Sequence, residues 1–323
     1  MPTEPHLNPE LHGHAAAEAA FLDALQKNKL PHAWLISGVR GIGKATLAHR
    51  IARYLLAGAP AQEAEAPGLF GPAEPPAPSL ALPADHPIFG RLASGAHSDL
   101  LVLQSEDEEG EAKEITVDEV RKIQHFFALS SGETGWRIVI IDGADAMNRN
   151  AANALLKMLE EPPAQTLLLL VSHNLGAMLP TIKSRCRSLK LSPLSDTDLA
   201  RIVSPAPTAE ILAIAAGSPG LAQKLGSLNC TEMLARLRSL IDRPQEAYDL
   251  AEKLTRKGSE ASWESQIILL RHVVATHIRS AVITGGLSPA LMELWEKTSR
   301  ILPETEGLNM DKKAALIDFS AAL

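Results

Sequence analysis

Aromatic side chains are scarce, 4% of 323 residues, and cysteine occurs only twice, as Cys186 and Cys230. Two thiols cannot build a disulfide framework or a four-thiolate zinc site. Both are expected to be buried free thiols in a reducing compartment. No uninterrupted apolar run reaches the roughly 18–20 residues of a membrane span. Residues Met1 to His14 lack the basic flank and apolar stretch of a signal peptide. A cytoplasmic chain without membrane contact is therefore expected. An excess of positive charge is missing too. Lys plus Arg total 31 against 38 Asp plus Glu, a net charge of −7. This excludes a globally basic nucleic-acid binder, though not a local basic stripe.

What is present suits a folded chain of two or three domains. Apolar residues make up 46% and charged residues 21%, close to a globular average. Ala15–Leu25 reads as a helix, Ala33–Ile36 as a short buried strand and Lys44–Leu56 as a second helix. From Ala57 to Pro87 the chain is crowded with proline and alanine, which predicts a loop or disordered insertion rather than a core element. Leu100–Leu103, Ile138–Ile141 and Leu167–Val171 are further strand candidates, separated by helices. Four such strands predict a largely parallel sheet covered on both faces. Between them, Glu106–Glu111 reads as a solvated acidic turn, and Thr116 with Glu119 as a capping box. After about Ser195 the pattern is helical. Trp263–Ile283 is strongly apolar, and a last helix follows a candidate Asn309 cap. Such helices bury their apolar faces in a core of their own or against a partner.

The strongest motif is Gly38-Val39-Arg40-Gly41-Ile42-Gly43-Lys44-Ala45-Thr46. It follows a strand and opens a helix, as a phosphate-binding loop must. Gly38, Gly41 and Gly43 let backbone N–H groups turn inward, and Lys44 meets the β- and γ-phosphates. Yet the residue after the lysine, normally the Ser or Thr that holds Mg²⁺, is Ala45. Thr46 lies about 100° further round the helix and is not expected to substitute. A second element is the strand ending in Asp142, an acid suited to face a metal. Gly143 follows it and has no side chain to orient water. Asp145 is a weak stand-in on a different face. Such a site can hold ATP, ADP or a phosphate weakly, but is expected to hydrolyse poorly or not at all.

Asn153-Ala154-Leu155-Leu156-Lys157-Met158-Leu159-Glu160-Glu161-Pro162-Pro163, followed by Ser184-Arg185-Cys186, resembles the clamp-loader branch of AAA+ proteins. The damaged phosphate loop narrows the resemblance to the delta-prime type of the bacterial DNA polymerase III clamp loader, over residues of about 12 to 226. This implies an α/β AAA+ parallel-sheet domain over residues 1–195, a helical lid over 196–227 and an all-α collar over 228–323. It implies that Ser184, Arg185 and Cys186 line a subunit interface. There Arg185 would act as a trans arginine finger on the γ-phosphate held by a neighbouring motor subunit, where a planar, permanent charge serves well. The opposing reading of Arg185 is a helix-end arginine capping carbonyls. Cys186 is expected to be a packed thiol. Ser172 stands at the family's sensor position, and Gly220 stands where active relatives carry a second sensor arginine. No cysteine precedes residue 185, so no zinc is expected, and His86 and His97 alone make no site.

The implied role is a non-motor subunit supporting ATP-driven loading of the sliding clamp onto primed DNA. Its partners would be motor subunits and a clamp-opening subunit, with primed DNA reached through the assembly. No cofactor is required. The alternative is a self-contained DNA-dependent ATPase, such as a motor subunit or branch-migration helicase. Ala45, Gly143 and Gly220 argue against it. A DNA-binding module remains a third reading, through Arg121 and Lys122 and through Lys183, Arg185, Arg187 and Lys190.

Overall fold

The computed structural model describes residues 4–59, 79–95, 97–105, 113–129, 132, 135–242, 248, 251–252, 263–283, 286, 289–307 and 310–320. The acidic turn at Glu106–Glu111, most of the proline-rich insertion and the Asn309 cap lie outside these residues. Two compact units emerge. One comprises Pro2–Asp198 with Gly217–Gly220, and the other Leu199–Ala216 with Leu221–Leu323.

The first unit is built on five parallel strands: β1 (Ala33–Ser37), β2 (Leu100–Gln104), β3 (Arg137–Asp142), β4 (Thr166–Ser172) and β5 (Arg187–Lys190). Their order across the sheet is β2-β3-β4-β1-β5. β1 and β4 are buried at every position, and β3 at all but Asp142, as continuous apolar runs require when both faces are covered. Helices α1 (Ala15–Gln26), α2 (Lys44–Leu56) and α3 (Pro87–Ala93) share a core with Trp34, Ile36, Ile138, Ile140 and Leu169. On the other face, α4 (Val117–Ala128), α5 (Arg149–Glu160) and α6 (Pro180–Lys183) pack on Leu35, Val139, Ile141 and Leu170.

β5 corrects the expected strand count from four to five. Only Leu189 of its residues is buried, so no apolar run marks it. It forms by pairing its backbone with β1, Arg187 opposite Trp34 and Lys190 opposite Ser37. The proline-rich insertion also needs correction at its C-terminal end. Leu80 and Leu82 are buried in the α1–α2 core rather than lying in a surface loop. An internal ion pair anchors them. Arg50 donates to Glu18 at 2.7 Å, and Glu18 also accepts from the Leu80 N–H at 3.3 Å. The capping box is present in both directions, Glu119 N–H to Thr116 Oγ1 and Thr116 N–H to Glu119 Oε2.

The second unit is helical. It includes α8 (Ala209–Ala215), most of α9 (Pro219–Gly226), α10 (Cys230–Asp242), α11 (Trp263–Ile283), α12 (Pro289–Gly307) and α13 (Lys312–Ser320); α7 (Asp196–Ile202) joins it to the first. α11 packs on α10 and α12, and α12 on α13. Leu234, Leu270, Val274, Leu294, Ile301, Leu316 and Phe319 form its buried interior. These helices therefore build a core of their own. Asp311 caps α13 by accepting from the Ala314 N–H at 2.9 Å. Among the described residues no helix is long and apolar enough to cross a membrane.

Candidate functional site

The crossover leaving β1 runs over one face of the sheet towards β2, and the one leaving β4 runs over the other towards β5. Adjacent strands whose connections diverge open a crevice at their carboxyl ends, where α/β sheets bind ligands. The loop Gly38–Gly43 sits at that point, after β1. Gly41 and Gly43 have φ of 71° and 104°, left-handed values that favour glycine.

Every carbonyl of this loop is engaged from within the chain. Lys44 Nζ donates to the oxygens of Gly38 at 2.9 Å and Val39 at 2.7 Å. Ser218 Oγ donates to Arg40 O at 2.8 Å, and Gly220 N–H to Gly41 O at 2.9 Å. His14 Nε2 meets Ile42 O at 2.8 Å, and Leu47 N–H closes on Gly43 O at 2.9 Å. Lys44 is buried and bound to the loop that should present it to a phosphate. Burial lowers its pKa to about 8, against the opposing pull of Asp142 and Asp145. Ala45 is half-buried in the first turn of α2, and Thr46 is buried.

Gly143 has φ of 83°, and a Cβ there would lie 1.9 Å from Ser105 Oγ. A glutamate cannot occupy this position without displacing Ser105. Asp145 is committed elsewhere, accepting the N–H groups of His173 at 2.9 Å and Asn174 at 3.1 Å. Ser172 is fully buried, and Ser37 lies opposite it in the β1–β4 register. Neither hydroxyl has a hydrogen-bond partner among the described residues. Gly220 rests on the loop so closely that a Cβ would stand 3.0 Å from both Cα and O of Gly41. His86 Nδ1 caps α3 through the Ile88 N–H, and His97 Nδ1 accepts from the Asp99 N–H.

Ser184, Arg185 and Cys186 follow α6 and precede β5. Arg185 is exposed. Its Nη1 donates to Thr181 O at 3.1 Å and Ser184 Oγ at 3.3 Å, and its Nη2 pairs with Glu160 Oε1 at 2.9 Å. Carbonyl capping, the plain reading of this arginine, is thus part of its geometry. Cys186 packs against the α5 side of the core, and burial pushes its thiol up to about 12. Since β5 runs parallel to β1, Arg185 lies at the amino edge of the sheet and Lys44 at the carboxyl edge. The length of β1, roughly 15 Å, separates them.

Sequence reasoning missed His14, Ser218, Ser37 and Glu160. His14 carries no local signal, and Ser37 and Ser218 lay in recognised segments with no sign of the contacts they make. Glu160 lay within a recognised motif, but its partner is Arg185, far along the chain.

Residues 88–195 match the family described as DNA polymerase III, delta subunit. The DNA polymerase III subunit delta' of Pseudomonas aeruginosa is 39% identical over 68% of this chain and 65% of its own length. The Escherichia coli subunit delta' is 27% identical over 81% of this chain and 75% of its own length. A DNA polymerase III subunit gamma of Buchnera aphidicola is 28% identical over 56% of this chain and 43% of its own length. The chain thus spans just under two thirds of the first of these relatives. By sequence the chain is similar to the DNA polymerase III delta-prime subunits.

Proposed function

We propose that the chain is a non-motor subunit of a DNA polymerase III clamp loader and lends Arg185 to a neighbouring ATPase subunit. The observation that carries the proposal is the separation of Arg185 from the chain's own phosphate loop by the length of β1. An arginine at that edge can reach only a phosphate held by another subunit. Its similarity to both delta' and gamma subunits supports a hetero-oligomer of related chains. The neighbours would be motor subunits and a clamp-opening subunit, acting together on primed DNA in the cytoplasm. A three-part division into AAA+ domain, lid over 196–227 and collar over 228–323 would suit such a ring.

Catalysis then belongs to the neighbour. A guanidinium brought to a γ-phosphate spreads its donors over the oxygens on which charge builds, an effect typically worth about 10³–10⁵ in rate. The chain's own loop serves as a rigid wall. With Lys44 bound to Gly38 and Val39, and no hydroxyl at Ala45, it would hold a nucleotide only weakly.

Steady-state ATP turnover of the reconstituted assembly on primed DNA tests this. The wild-type chain alone is expected to be silent. Arg185→Ala is expected to lower turnover at the site it serves by about 10³-fold while leaving the chain folded. Undiminished turnover and clamp loading by that variant would sink the proposal.

A further inference from the structure

We propose that Glu160 is a positioning residue that holds the Arg185 guanidinium in reserve until a phosphate displaces it. This rests on the trans-arginine function proposed above. Glu160 is the last residue of α5, at the negative end of the helix dipole, where a carboxylate is poorly placed unless a cation answers it. Glu161 follows it, doubling the negative charge. Arg185 supplies the cation, with Nη2 2.9 Å from Glu160 Oε1.

The pair is built to open. The two side chains are 51% and 37% exposed, and ion pairs this wet hold weakly. Thr181 O and Ser184 Oγ hold the other terminal nitrogen, so the side chain is already extended along one direction. A phosphate carries more charge than one carboxylate and offers several acceptor oxygens in the arrangement a guanidinium prefers. It would take the fork from Glu160 without unfolding α6, which Pro180 and the buried Ile182 anchor. Glu160 thus competes with the phosphate for the guanidinium at the small cost of an exposed ion pair.

The full chain, assembled with motor and clamp-opening subunits, is compared with Glu160→Gln, Arg185→Ala and the double variant. Turnover is measured against ATP concentration. Glu160→Gln removes the charge and keeps the shape. It should lower KM about two- to fivefold, the worth of an exposed ion pair, with kcat unchanged. The latch opposes phosphate engagement equally in ground and transition states, so only uniform binding changes. Arg185→Ala and the double variant should lose turnover alike. On the free full chain, side-chain ¹⁵N NMR should show faster water exchange at Arg185 in Glu160→Gln, with an unchanged melting midpoint.

Normal turnover by Arg185→Ala would overturn the trans-arginine function and the latch with it. If Arg185→Ala abolishes turnover, an unchanged or raised KM in Glu160→Gln overturns the latch alone. An Arg185 resonance indifferent to Glu160→Gln also overturns it, because the ion pair would then not hold the side chain in solution.

Discussion

Gly220 donates its backbone N–H to Gly41 O at 2.9 Å, at a separation that leaves a side chain on Gly220 pressed against the Gly41 backbone. At Gly220, which the resemblance aligns with a second sensor arginine, backbone therefore lies on backbone. Gly220→Ala should destabilise the chain by about 1–3 kcal/mol, since its Cβ would press on Gly41 at 3.0 Å. Gly220→Arg should do the same without conferring ATP binding. Urea denaturation and a nucleotide titration of both variants check this; tight ATP binding by Gly220→Arg would contradict it.

Gly143 is closed in a similar way. Gly143→Glu, which would supply the water-orienting acid that the resemblance expects of hydrolysing members, meets Ser105 and a left-handed backbone together. The expected result is a loss of roughly 2–4 kcal/mol of stability and no ATPase activity. Thermal melting and a phosphate-release assay on the purified variant would decide.

Lys44 makes a pH-dependent prediction. Its folded pKa of about 8 lies below the ordinary 10.5, so between those values the unfolded chain binds more protons than the folded one. Stability from this group therefore rises with pH from about 8 to 10.5, and is flat below 8. Lys44→Met removes both the slope and the two bonds to Gly38 and Val39. The difference in unfolding free energy between wild type and variant, followed from pH 7 to 10.5, should grow in favour of the wild type.

Cys186 sits beside Arg185, yet burial rather than the arginine sets its thiol, pushed up to about 12. Thiolate is the reactive form. Alkylation by iodoacetamide at pH 7.5 should be slow in the folded chain and should become fast in urea. Fast labelling of folded Cys186 would show that the thiol is not packed.

Much of this was legible in the chain itself. Ile138–Ile141 and Leu167–Val171 could only be buried strands, Gly41 and Gly43 marked a loop with left-handed turns, and Thr116 with Glu119 marked a helix start. Trp263–Ile283 was readable to its ends. Each depends on neighbours within a few residues. Ala45 and Gly143 were read as losses from the sequence, but the clash that a side chain at Gly143 would meet comes from Ser105, more than thirty residues earlier.

What the sequence by itself determined is four of the five parallel strands, the glycine-rich loop and its missing hydroxyl, because periodicity and turn chemistry are local. Tertiary structure alone decided the rest. β5 is a strand because β1 offers it an unpaired edge. The loop is closed because His14, Ser218 and Gly220 converge on its carbonyls from distant parts of the chain. Arg185 lies at the far edge from that loop because parallel pairing puts the start of β5 and the end of β1 at opposite edges of one sheet.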